Sequence, residues 1–118
     1  MHFIQKFGLT LSVVLLIITT VLSLIPLPEL PEVPGTDKTH HLIAYMSIAL
    51  PVTLKNPKYL YYFLLGVVLW SGAIELIQPY VNRYGEWMDL LANSIGLVIG
   101  FVLGHLLKTI FYNLSKAK

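Results

Sequence analysis

Charged residues divide this chain into four apolar stretches, whose lengths can be set against the roughly 20 helical residues that cross about 30 Å of hydrocarbon. Phe7 to Ile25 is nineteen residues without a charge and spans easily. Leu42 to Leu54 is only thirteen, so a spanning helix there borrows Asp37 to His41 as its first turn. That gives eighteen residues, roughly 27 Å at about 1.5 Å each. Tyr59 to Ile74 is sixteen and reaches full length only by including Glu75 and Gln78 before Pro79 ends the helix. Leu90 to Leu107 is eighteen, interrupted by Asn93, Ser94 and His105. The pattern predicts an all-α integral membrane bundle of four transmembrane helices, roughly 7–25, 37–54, 59–78 and 89–112, in a single domain over 1–118. A re-entrant segment is the alternative for the second. The first run could be read as a signal peptide, because His2 and Lys6 precede it. It is too long for one, and Leu22-Ser23-Leu24-Ile25-Pro26 offers no small-residue cleavage pair, so an uncleaved helix is expected.

Composition narrows the class. Of 118 residues, 56% are apolar and 12% charged, about half the charge of a typical soluble domain. In water such a chain would expose large apolar patches, which excludes soluble, disordered, nucleic-acid-binding and disulfide-scaffold classes together. A net charge of +2 argues for no polyanionic partner, and the absence of cysteine excludes thiol catalysis and disulfides.

Lysine and arginine counts in short loops set the orientation. Lys6, Lys55, Lys58, Lys108, Lys116 and Lys118, six of the eight, collect on one side, which is then cytoplasmic together with both termini. Lys38 and Arg83 fall on the other. All six carboxylates, Glu29, Glu32, Asp37, Glu75, Glu86 and Asp89, belong to that outer half, although the counting rule did not use them.

Three helix ends meet at the outer face and each brings polar groups at helical spacing. Asp37, His41 and Tyr45 recur at i, i+4, i+8 and share one face; Glu75 and Gln78 do so at i, i+3. Asp89 and Asn93 stand at i, i+4, with Gly96, Gly100 and Gly104 extending nearly the same stripe. Glycines at that spacing let another helix approach closely, so the stripe points into the bundle and carries Asp89 and Asn93 with it. The loop adds Arg83. Ionisable groups within a membrane are costly and usually face the interior and pair, so their convergence predicts one polar pocket opening outward.

The ordered series Asp37-Lys38-x-x-His41-x-x-x-Tyr45, Glu75-x-x-Gln78, Arg83 and Asp89-x-x-x-Asn93-x-x-Gly96 resembles the VanZ-like family of small bacterial membrane proteins, over about residues 24–107. The resemblance implies a polytopic protein of the bacterial cytoplasmic membrane, in a family whose founding member is associated with low-level resistance to the glycopeptide antibiotic teicoplanin. It supplies no established reaction. His40, which doubles the histidine, is a small departure, and the first span and basic tail carry no distinctive motif.

Each residue also has a plainer reading. Thr36 or Asp37 suits a helix N-cap. His41 can be an interior hydrogen-bonder, an acid–base group or a metal ligand; His40 reads as interfacial and His105 as structural. Glu75 at a helix C-terminus opposes the dipole, so it calls for a cationic partner among Arg83, Lys38 and protonated His41. Gln78 and Asn93 serve most often as interhelical hydrogen-bonders, and Arg83 is either a phosphate hook or a loop residue meeting headgroups. Trp70, Trp87, Tyr80 and Tyr84 suit an aromatic belt.

Two mechanisms of different class fit these residues. As an enzyme, a hydrolase or transferase, the protein would hold a lipid-linked phosphate substrate on Lys38 and Arg83, with Tyr45, Gln78 and Asn93 completing the binding site. His41 or Glu75 would then act as acid or base, with Asp37 or Asp89 orienting it or helping to hold a divalent cation. As a binding module, the same pocket would recognise a membrane lipid, a cell-wall precursor or the antibiotic without chemistry. A proton-coupled carrier is the weaker third reading, because the cytoplasmic half offers only His105, and it would call for a homodimer to complete a path.

Overall fold

The computed structural model describes residues 2–25, 37–81 and 87–117. They form four α-helices: α1 (His2–Leu24), α2 (Asp37–Lys55), α3 (Leu60–Ile77) and α4 (Trp87–Ala117). A 3-10 turn over Gln78–Val81 follows α3, so the helix ends just before Pro79 as its missing N–H requires. No strand occurs among the described residues.

Three of these helices, not the expected four, are both long and apolar enough to cross a membrane: His2–Leu24, Leu60–Tyr80 and Trp87–Ala117. The exception is α2, which has the length, at 19 residues, but opens on Asp-Lys-Thr-His-His and closes on Thr53 and Lys55. Its position explains why it needs no lipid-compatible surface. Packed against both α1 and α4, it buries Tyr45, Ile48, Ala49, Val52 and Thr53 to 1% exposure or less. Apolar residues of the other helices, among them Ile17, Leu69 and Val98, remain at the surface, as helices that cross a membrane allow.

Two outer helices also run further than their apolar runs. α1 starts at His2 rather than near residue 7, and α4 continues to Ala117 rather than 112. At 31 residues α4 is about 46 Å long, well beyond the hydrocarbon thickness. Both extensions carry a lysine over a neighbouring ring, Lys6 on Phe7 at 5.3 Å and Lys116 on Tyr112 at 5.5 Å.

The glycine stripe of α4 packs on the backbone of α2. A Cβ added at Gly96 or Gly100 would fall under 3.0 Å from the carbonyl oxygen of Leu42 or Met46, and one at Gly104 would fall 2.6 Å from Thr53 Cγ2. The matched order shows that α2 and α4 run parallel, both starting at the same end of the bundle. Small residues here give close backbone approach, as expected where lipid rather than water is the alternative partner.

Against α1 the packing is antiparallel and includes a polar insertion. Ser12 Oγ, fully buried, donates to the Ile48 carbonyl at 2.6 Å and accepts from the Val52 N–H at 3.0 Å. A regular helix pairs those two groups with each other. Pro51 lies beside them inside α2, so the Ser12 hydroxyl satisfies a ladder disturbed by proline. At the far end Lys55 donates to the Gln5 carbonyl, and α2 stops at Asn56, whose φ of 55° takes the left-handed conformation before Pro57. Trp70 of α3 is fixed to α1 by donating from Nε1 to Thr20 Oγ1 at 2.9 Å.

Candidate functional site

With these directions, the end of α1, the start of α2, the end of α3 and the start of α4 share one end of the bundle. Their polar side chains meet there. His41 from α2, Glu75 from α3 and Asp89 from α4 are all buried, at 8%, 5% and 2% exposure. One ligand-capable atom of each lies within 4.8 Å of the other two.

The histidine is held in a defined orientation. Asn93, one turn beyond Asp89, donates from Nδ2 to Ser71 Oγ at 2.5 Å, which turns its Oδ1 toward His41. His41 Nδ1 lies 2.9 Å from that oxygen. An amide oxygen can only accept, so Nδ1 carries the proton and donates it. Nε2 is left facing Asp89 Oδ2 at 3.8 Å, longer than a hydrogen bond. On the outer side, Lys38 Nζ reaches Asp89 Oδ1 at 3.6 Å from a side chain that is 45% exposed. Tyr45, one turn after His41, is buried close to Ser71 and Glu75. Gln78 donates from Nε2 to the Ser23 carbonyl at 3.1 Å and so ties the end of α3 to the end of α1.

Of the expected site residues, His41, Tyr45, Glu75, Asp89 and Asn93 are brought together, Lys38 stands at the rim, and Gln78 acts as an interhelical tie. Arg83 lies outside the described residues, as do Thr36 and Tyr84, and Asp37 is described as the first residue of α2. Of the companions expected for Glu75, His41 offers a ring nitrogen within 4.8 Å of it, and Lys38 reaches Asp89. His105 meets Phe101 of the same helix edge-on, at 4.4 Å between ring centroids.

Among the described residues Glu75, Asp89, His41 and Asn93 are packed inside the bundle, and the loops that would frame an outward-opening pocket lie outside the described residues. A separate groove of about 360 Å³ lies between α3 and α4, lined by Tyr61, Leu65, Val68, Ser94, Val98 and Phe101 among others, and it is apolar.

Ser71 was not foreseen. It stands four residues before Glu75, the same one-turn spacing that marked the other polar pairs, and that spacing was the available signal. Ser12 and Ser23 were not singled out because their run also holds Thr10, Thr19 and Thr20, and scattered hydroxyls in an apolar helix mark no one position.

Neither a curated protein nor a solved structure matches the chain. A family model described as VanZ/LLP1 matches residues 1–108, so the likeness read from motifs after residue 24 extends through α1 as well. The protein belongs to the VanZ/LLP1 family.

Proposed function

We propose that this membrane protein binds a phosphate-bearing envelope lipid or cell-wall precursor at the end of the bundle where α2, α3 and α4 converge, and acts on it by acid–base chemistry. The observation that carries the reading is the meeting of His41, Glu75 and Asp89 from three helices, with the imidazole oriented through Asn93 and Ser71. Three buried ionisable groups cost more than a packing role returns, since apolar side chains of similar volume would hold the helices at least as well. Lys38 at the rim, with Arg83 in the adjoining loop, supplies positive charge for the headgroup. His41 or Glu75 then moves a proton, and Asp89 orients the histidine. The apolar groove between α3 and α4 lies roughly two turns from Glu75 along the same helix and accommodates the lipid chain.

In this reading α2 crosses the bilayer inside a sheath of α1 and α4, the termini are cytoplasmic by the lysine count, and the site faces outward. Altered susceptibility to glycopeptide antibiotics follows from the changed envelope. Lipid-resolved mass spectrometry of membranes from cells lacking the gene, complemented with wild type or His41→Ala, tests it. Wild type should alter a phosphate-bearing lipid pool and His41→Ala, inserted to the same level, should not; indistinguishable pools would overturn the enzymatic reading.

The burial of Asp89 and Asn93 at 2% each favours a second reading, recognition of the headgroup without chemistry. Glu75→Gln separates the two, since it keeps shape and most hydrogen bonds but removes a titratable carboxyl.

A further inference from the structure

We infer that His41, Glu75 and Asp89 form a site for one divalent transition-metal cation, bound through His41 Nε2 and one oxygen from each carboxylate. Three features of the cluster point there. The first is the donor set: one imidazole and two carboxylates, without thiolate, suit zinc, manganese or ferrous iron better than the all-oxygen shells of calcium or magnesium. The second is distance. The three atoms lie within 4.8 Å of one another, while donors about 2.1 Å from a common ion stand roughly 3 to 4.2 Å apart, so a rotamer adjustment of about half an ångström closes the shell.

The third is the orientation of the histidine, which is independent of the acidic residues. Asn93 takes the Nδ1 proton, and Asn93 is itself held by Ser71. Metal-binding histidines are commonly arranged this way, with one ring N–H donated to a fixed acceptor so that the other nitrogen presents its lone pair to the ion. Here that lone pair faces Asp89 Oδ2 at 3.8 Å, too far for a direct hydrogen bond. Lys38, 3.6 Å from Asp89 Oδ1, then competes with the cation from the rim. The inference holds whether or not the site acts on a lipid.

Mn2+ titrated into the chelator-stripped protein in detergent, followed by the six-line EPR signal of the free ion, tests it. One equivalent per chain should lose its free signal and be displaced by Zn2+. Asp89→Asn and Glu75→Gln, each checked for folding by size-exclusion profile and melting temperature, should weaken binding about tenfold or more. Lys38→Met, a change at a half-exposed residue that removes the competing charge, should tighten it severalfold. A wild-type protein that leaves both ions free overturns the inference, as do folded carboxylate variants that bind like wild type. Should those variants not fold, Lys38→Met decides, and unchanged or weaker affinity there overturns it.

Discussion

His41 on α2 and Asn93 on α4, 52 positions apart in the chain, are joined by a 2.9 Å hydrogen bond inside the bundle, and Asn93 passes the constraint on to Ser71 of α3 at 2.5 Å. One amide thereby fixes three helices and aims the imidazole. Asn93→Ala should leave the His41 N–H and the Ser71 hydroxyl without that partner in a buried place. Such loss costs about 1–3 kcal/mol. A lowered melting temperature in detergent is expected, with Asn93→Gln failing to restore it because the longer side chain cannot occupy the same position.

The parallel contact of α2 and α4 depends on glycine in a way that can be tested against an internal control. Gly100→Ala places a methyl against the Met46 carbonyl and should destabilise by roughly 1–3 kcal/mol, the usual range for overpacking. Gly66→Ala meets nothing within 4 Å, so stability should hold or rise slightly with the better helix former. Thermal unfolding of the two variants side by side measures the difference; equal stability would mean that α2 and α4 are not held this closely.

Ser12 and Pro51 should be coupled. Ser12→Ala strips the Val52 N–H and Ile48 carbonyl of the hydroxyl that serves both, at a cost of about 1–3 kcal/mol. Pro51→Ala lets α2 close its own ladder, so Ser12→Ala should cost much less in that background. A double-mutant cycle on unfolding free energies reads the coupling directly.

The chain has no cysteine, so single cysteines report topology without background. Lys58→Cys and Lys116→Cys should react with an impermeant maleimide only after cells are opened, and Arg83→Cys in intact cells. Labelling of Lys58→Cys in intact cells would reverse the proposed orientation.

Much of this arrangement was readable from spacing. Asp89, Asn93, Gly96, Gly100 and Gly104 fall on one helical face, and the structure buries all five. The pairing of His41 with Tyr45, and of Glu75 with Gln78, was legible for the same reason, since a fixed helical period places such residues together wherever the helix packs. What spacing could not convey is which helix meets which. The central place of α2 was hidden because its polar first turn and Pro51 look like defects in a span, and only enclosure by α1 and α4 makes them tolerable. Ser12 was hidden because its role depends on a proline 39 positions away in the sequence.

The central claim is that the buried cluster works chemically and is more than interhelical glue, and Glu75→Gln tests it most directly. The substitution keeps size and most hydrogen bonds, so the variant should insert and melt near wild type. In cells lacking the native gene, lipid-resolved mass spectrometry should then show that wild type restores the phosphate-bearing lipid pool and that Glu75→Gln, at equal abundance, does not. Full restoration by Glu75→Gln would contradict the account.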